Sequence, residues 1–154
     1  MAVNSIYSMV INYLISGSIT PVVITTLIGK LAERTDTGGH SIFLGQVRAD
    51  EINGKKVRAI EYSAYEAMVR VEADKIKDTI LSEFTDTKSI DIVHSTGVVN
   101  AGEISLFVLV SARHRKQAIE ACSKTVDLIK EKLPIWKKEI FEDSSREWRQ
   151  NISS

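Results

Sequence analysis

Basic side chains at three places in the chain could together bind and act on an anionic substrate. Arg48 follows an apolar run, a cluster from Arg113 to Lys116 follows another, and Lys130 and Lys137 lie on either side of Pro134. A partly desolvated lysine has a lowered pKa and can act as an acid, base or nucleophile, whereas an arginine stays charged. Each of these residues alone is more often a solvated surface charge. The chemistry is therefore predicted only if the fold brings together Arg48, His114, Arg115, Lys130 and Lys137.

The sequence predicts neither a metal site nor a glycine-rich phosphate-binding loop. His40, His94 and His114 are far apart, and no HxxxH or CxxC spacing accompanies them, so each is interpreted as a structural or surface residue. Cys122 falls on the apolar stripe of a predicted helix and is interpreted as a small buried hydrophobe. The chain has no Walker loop and no GxGxxG motif, and Gly38-Gly39 is interpreted as a turn.

Length and composition predict one globular domain over residues 1–154. Hydrophobic residues make up 44% of the chain, and no repeat or low-complexity linker divides it. Twenty basic and twenty acidic residues cancel, which argues against nucleic acid or an anionic membrane as a partner. The single cysteine excludes an internal disulfide and suits a cytoplasmic protein. The apolar stretch 9–19 is too short to span a bilayer, and we interpret it as a strand that begins the domain.

The first half of the chain predicts a strand, a helix and a hairpin. Thr20-Pro21 is typical of an N-cap followed by proline at the first helical position, and the helix should run to about Arg34. HSIFLGQVRA (40–49) predicts a largely buried strand. Asn53-Gly54 is a strong hairpin signal, so VRAIEYSAY (57–65) should return antiparallel.

The second half predicts two long helices separated by two strands. The apolar stripe of the first helix consists of Val69, Ala73, Ile76, Ile80 and Phe84. That of the second consists of Ala118, Cys122, Val126, Ile129 and Leu133, and Pro134 ends this helix. Between them, SIDIVHSTGVV and EISLFVLVSA predict strands joined at Asn100–Gly102, and the tail after Pro134 should be irregular or extended. Hairpins joined by helices indicate an α+β fold with a mainly antiparallel sheet.

The lysine pair after Pro134 is constrained by strand geometry. If residues 135–140 are extended, successive side chains point to opposite faces. Ile135, Lys137 and Glu139 then share one face, and Trp136 and Lys138 lie on the other. At most one of the two lysines can therefore easily share a pocket with Lys130.

Four blocks between residues 38 and 148 carry a resemblance to a known family: GGHSIFLGQVR, IEYSAYEAM, VSARHRKQAIEA and LIKEKLPIWKKEIFEDSSREW. They resemble the large, catalytic subunit of molybdopterin synthase. The resemblance implies an α/β hammerhead-like fold and a homodimer flanked by two small ubiquitin-like carriers, a heterotetramer. The carrier's C-terminal Gly-Gly thiocarboxylate would give sulfur to cyclic pyranopterin monophosphate to form the dithiolene of molybdopterin. No metal or organic cofactor is expected on this chain.

The resemblance also implies site residues. By position, the catalytic lysines are Lys130 and Lys137. The substrate-binding residues are Gln46, Val47, Arg48, His114, Arg115, Lys130, Lys137, Lys138 and Glu139. In this interpretation Arg48, His114 and Arg115 hold the phosphate and pterin, Lys130 engages the carrier's terminal carbonyl, and Lys137 orients substrate or moves protons.

Three positions depart from the family pattern, and one other function stays open. Ser95 stands where the family usually has arginine, Ser63 replaces a common glutamate, and Arg113 replaces a small residue. The alternative function is a non-catalytic dimeric regulator that binds an anion or nucleotide through the same basic cluster. A nucleic-acid-binding domain is disfavoured by the zero net charge and the lack of a basic aromatic platform.

Overall fold

The structure, a computed structural model, describes residues 8–150. Its strands are β1 (Leu14–Ser16), β2 (Gly39–Gln46), β3 (Glu51–Ile52), β4 (Lys55–Ala64), β5 (Thr87–Asn100), β6 (Ile104–Ala112), β7 (Ile135–Phe141) and β8 (Arg146–Gln150). Its helices are α1 (Pro21–Gly29), α2 (Glu66–Glu83) and α3 (Arg115–Lys132), and a 3-10 turn (Lys30–Glu33) follows α1. The strands form one sheet in the order β2-β6-β5-β4-β7-β8, with β1 beside β5 and β3 beside β4. All these pairings are antiparallel except that of β1 with β5, so the predicted α+β class is confirmed.

Both faces of the sheet centre are covered, which explains the continuous apolar run of β6. Leu106, Val108 and Val110 belong to the core cluster that includes α2 and α3. Phe107 and Leu109 belong to a second cluster formed with β1 and α1. Because alternate residues of a strand point to opposite faces, β6 needs apolar side chains at every position from Leu106 to Val110. The α2 and α3 stripes supply one layer, as their helical spacing predicts.

The N-terminal prediction is confirmed in part. Only Leu14–Ser16 of the stretch 9–19 forms a strand, because Asn12 and Tyr13 have φ values of 51° and 71° and interrupt the extended backbone. Thr20 does cap α1: its side-chain oxygen accepts a hydrogen bond from the backbone N–H of Val23 at 3.5 Å.

The turn at Asn53-Gly54 is a hairpin, but a short one. Both residues have positive φ, 51° and 78°, as a two-residue type I′ turn requires. The turn joins β4 to the two-residue β3, whereas β2 pairs with β6. The rest of β4 pairs with β5 and β7.

The prediction that β2 is largely buried is wrong for a single copy of the chain. This strand lies at the edge of the sheet, and Ile42, Phe43 and Leu44 are 40%, 36% and 43% exposed. An apolar run predicts burial, but it does not say whether a neighbour within the same chain covers it. The exposed edge is a candidate for pairing with another chain.

The end of α3 is as predicted. The helix stops at Lys132, Leu133 is its C-cap, and Pro134 leads directly into β7. The tail beyond it is extended, since β8 pairs with β7. Within residues 8–150, no helix is both long enough and apolar enough to cross a membrane.

Candidate functional site

A cavity of about 320 Å³ lies where the end of β2, the last turn of α3 and the middle of β7 meet. Lys130 enters it from α3, Lys137 and Glu139 from β7, and Arg48 from the loop after β2. Pro134 makes this possible, because it ends the helix and directs the chain into a strand that runs back past Lys130. The structure thus brings together three of the five basic residues named from the sequence.

The two lysines of β7 point to opposite faces, as strand geometry requires. Lys137 lines the cavity. Lys138 instead lies over the ring of Trp148 on β8, with its Nζ 4.2 Å from the ring centroid. Trp136, on the same face as Lys138, is 46% exposed. Lys138 was named as substrate-binding, but the structure does not bring it into the cavity with the other lysines.

Like charges and burial change the chemistry of Lys130. Burial lowers the pKa of this lysine, and the neighbouring charges of Lys137 and Arg48 lower it further. Arg48 has an exposed side chain and forms an ion pair with Asp50 at 3.2 Å. A lysine in this environment can lose its proton more readily than a surface lysine, so it can serve as an acid, base or nucleophile.

Glu139 is buried beside these lysines and has its own counter-charge. Its Oε2 lies 3.0 Å from Nε of Arg149 on β8. Because this carboxylate is paired with Arg149, it does not fully neutralise the positive charge of Lys137 or Lys130. Sequence reasoning missed Arg149, because only the β7–β8 pairing shows that the two side chains meet. Gln46 and Val47, also named from the sequence, line the cavity, and Val47 is buried.

The floor of the cavity is polar and buried. Tyr62, His94 and Ser105 all line it. The Tyr62 hydroxyl donates to Ser105 Oγ at 3.1 Å, and the Tyr62 and His94 rings meet edge to face with centroids 5.0 Å apart. Burial lowers the pKa of His94 to about 4, and the charge of Lys130 adds to this effect, so the imidazole is neutral at pH 7. The sequence predicts a structural or surface role for His94 and gives no sign that it lines the cavity.

His114 and Arg115 do not line this cavity. They lie at the first turn of α3, while Lys130 lies in its last turn, about 23 Å away at 1.5 Å per residue. Asp86 places an anion at this helix start: its carboxylate accepts from the backbone N–H of His114 at 2.8 Å and lies 3.2 Å from Nδ1 of that residue. Within one chain the basic residues therefore form two separate groups.

Gly38-Gly39 holds the start of β2 against the start of α3. A Cβ atom on Gly39 would lie 2.8 Å from the backbone N and Cα of Arg115, and one on Gly38 would lie 2.6 Å from the carbonyl oxygen of Arg113. Only glycine permits this approach. Arg115 therefore lies beside one end of β2, and the cavity lies at the other end. Among the described residues, no group of three or more His, Cys, Asp or Glu could hold a metal ion.

Comparison with known proteins identifies the family. Residues 19–132 match the family model described as MoaE protein. The molybdopterin synthase catalytic subunit of Dictyostelium discoideum is 42% identical over 127 residues, which are 81% of this chain and 80% of that protein. The corresponding subunit of Drosophila willistoni is 40% identical over 88% of this chain, but the match covers only 36% of that longer protein.

Solved structures agree with the sequence comparison. Molybdopterin synthase from Staphylococcus aureus superposes with a TM-score of 0.76 at 31% identity, covering 89% of this chain and 95% of that one. A complex of subunits 1 and 2 of molybdopterin-converting factor from Helicobacter pylori gives a TM-score of 0.75 at 20% identity, covering 89% and 88%, which shows the shared fold. By sequence and by fold, the chain belongs to the MoaE family, whose named members are molybdopterin synthase catalytic subunits.

Proposed function

We propose that this chain transfers sulfur from the C-terminal thiocarboxylate of a small ubiquitin-like carrier ending in Gly-Gly to cyclic pyranopterin monophosphate. Two transfers form the dithiolene of molybdopterin. In each transfer a C–S bond replaces a C–O bond on the pterin side chain, and water cleaves the carrier's acyl–sulfur bond. The carrier leaves as a carboxylate, so no oxidant or reductant is required. The observation that carries the proposal is the meeting of Arg48, Lys130 and Lys137 in one cavity.

The charges of the cavity suit both reactants, because the thiocarboxylate and the cyclic phosphate are anions. Lys130 engages the carrier's terminal carbonyl, where burial and the neighbouring charges lower its pKa and make proton exchange easier than at a surface lysine. Lys137, on the facing strand, orients the substrate or moves protons. Arg48, at the exposed rim, binds the phosphate. A carrier subunit is also supported by the Helicobacter pylori neighbour, which is a two-subunit complex.

The site becomes complete if two copies pair through β2. The free edge of β2 carries Ile42, Phe43 and Leu44, exposed and apolar. Antiparallel pairing about a two-fold axis would place the Gly39 end of one strand beside the Gln46 end of the other, about 5 Å away. Since Arg115 lies against Gly39, the partner's Arg115 would come within side-chain reach of the cavity rim. His114 would arrive with it.

Mixing inactive variants tests both the chemistry and the assembly. Lys130→Ala and Arg115→Ala are each incubated with thiocarboxylated carrier and the cyclic pterin, alone and as an equal mixture after subunit exchange. Random exchange makes half of the dimers mixed, each with one intact site, so about a quarter of the sites should regain sulfur transfer. Dithiolene product is measured by mass.

The matched control is an equal mixture of Lys130→Ala and Lys137→Ala. Both lysines line the cavity of one chain, so every site in this mixture lacks one of them and the mixture should stay inactive. Recovery there would contradict the single-chain origin of the two lysines. If the natural chain forms no product with any carrier but binds a nucleotide tightly, the regulator is the correct interpretation.

A further inference from the structure

His94 supplies a hydrogen-bond acceptor of known orientation at the floor of the cavity. It is 2% exposed on β5, and its Nδ1 lies 2.8 Å from the backbone oxygen of Ser95. A carbonyl oxygen can only accept, so Nδ1 carries the proton and Nε2 carries the lone pair. The ring is held from one side by the edge-to-face contact with Tyr62.

The lone pair of Nε2 has no protein partner in the part of the chain described. The hydrogen bond of His94 runs through Nδ1, yet the residue lines the cavity. An acceptor that is open to the cavity can receive a hydrogen bond from a donor there. The cavity therefore contains a fixed, neutral acceptor ready to receive a hydrogen bond.

Lys130 is the donor that this acceptor fits. The charged groups that share the cavity with His94 are Arg48, Asp50, Asp127, Lys130, Lys137 and Glu139. Asp50 is paired with Arg48 and Glu139 with Arg149. Among the ion pairs of the described residues, none joins Lys130 to a carboxylate. A partly buried ammonium needs acceptors, and the charge of Lys130 is already felt at the imidazole.

We infer that His94 is a positioning residue for Lys130, whose Nζ donates a hydrogen bond to His94 Nε2 while the lysine acts on the carrier's carbonyl. The role assigned to Lys130 rests on the proposed function. In this structure the two groups share the cavity without a hydrogen bond between them. Rotation of the flexible lysine stem forms the contact in the free chain as well as with the carrier bound. A carboxylate at this place would fix Lys130 as an ammonium ion, whereas a neutral imidazole orients the amine and leaves its proton exchangeable.

The pKa of Lys130 tests the inference, because the two explanations move it in opposite directions. A hydrogen bond to a neutral acceptor favours the ammonium form. His94→Phe, which keeps an aromatic ring but no acceptor, should lower the Lys130 pKa further, by about one unit, a tenfold change in its acid dissociation constant. If His94 only supports the fold, the same substitution loosens the cavity, admits water and raises that pKa. The pKa is measured from the pH dependence of amine labelling at Lys130 by peptide mass spectrometry.

Two further variants and one NMR measurement separate a hydrogen bond to Lys130 from a purely structural role of His94. His94→Gln can place an amide oxygen near the Nε2 position and should restore the Lys130 pKa. Ser95→Ala, equally buried on the same strand, keeps the carbonyl that holds His94 and should leave that pKa unchanged. With His94 unchanged, the ¹⁵N resonance of its Nε2 should shift in the Lys130→Met variant and should not shift in the Lys132→Met variant. This last measurement needs no change at His94.

Each result has a definite meaning. A raised or unchanged Lys130 pKa in folded His94→Phe, or an unmoved Nε2 resonance in Lys130→Met, overturns the inference. The labelling uses the chain without carrier or pterin, so it succeeds or fails independently of sulfur transfer. If His94 sets the Lys130 pKa but the natural chain makes no dithiolene, the proposed function fails and the positioning contact stands.

Discussion

Replacing Lys130 by methionine should abolish activity and stabilise the fold at the same time. Methionine keeps most of the aliphatic length and removes the charge. Loss of acid–base or electrostatic help typically costs ~10²-fold in rate, equivalent to about 2.7 kcal/mol of transition-state stabilisation. We expect at least this loss in single-turnover sulfur transfer, because Lys130 supplies the amine on the α3 side of the cavity.

The expected stabilisation follows from the sign of the pKa shift. The pKa of Lys130 is lower in the folded chain than its ordinary value. Between these two pKa values the unfolded chain binds more protons, so the stability of the natural chain rises with pH through that window. At pH 7 the buried charge is a penalty, and Lys130→Met removes it. The variant should therefore have the larger free energy of unfolding at pH 7, and the difference should shrink as pH approaches 10.

The Lys132→Met variant is the control. It shows how much stability changes when a lysine is removed from the end of α3 without any change in the cavity. Both residues lie in the last turn of α3, so both favour the helix dipole. Lys132 is exposed and does not line the cavity. Its replacement should leave sulfur transfer nearly unchanged and give no stabilisation that fades with pH. Urea denaturation of all three proteins at pH 6, 7, 8 and 9 measures the differences. A Lys130→Met variant that is less stable than Lys132→Met at pH 7 would refute the reasoning.

Four other perturbations have definite expected outcomes. Phe43→Lys should shift the chain to monomer in sedimentation and reduce sulfur transfer, because it places charge on the apolar edge of β2. Phe107→Ala should lower the free energy of unfolding by about 3–5 kcal/mol in urea titration, since this side chain is fully buried. Asp86→Ala should cost about 0.5–1.5 kcal/mol in the same assay, because it removes the acceptor of the His114 N–H and the anion beside the start of α3. A carrier extended by one residue past Gly-Gly should form no product by mass, because its sulfur would be misplaced by ~3.5 Å.

The helices and the opposed lysines could be predicted from the sequence because local periodicity determines them. The stripe from Val69 to Ile80 has one period and one buried face, and Pro134 stops α3 for reasons that lie within a few residues. The opposite orientations of Lys137 and Lys138 follow from any extended chain. These inferences need no knowledge of which strands are neighbours.

The features that were missed all depend on neighbours distant in the sequence. The carboxylate at the start of α3 comes from Asp86, 28 residues before His114. The exposure of β2 depends on its place at the edge of the sheet order. His94 occurs in a strand whose two faces are both covered, so its pattern gave no sign that one face opens into a cavity. The order in which the strands pair, rather than the amino-acid composition, determines all three of these features.

In the proposed dimer, the rigidity of α3 explains why two copies would be needed to assemble the site. One helix carries His114 and Arg115 at its start and Lys130 at its end, and about 23 Å of regular helix separates them. No side-chain rotation closes that distance over a single pterin. The contact of Gly39 with Arg115 places the start of α3 at one end of the free edge of β2, and the cavity lies at the other end. In the proposed pair, a two-fold axis across that edge would exchange the ends, and the separation that keeps the two basic groups apart in one chain would bring them together.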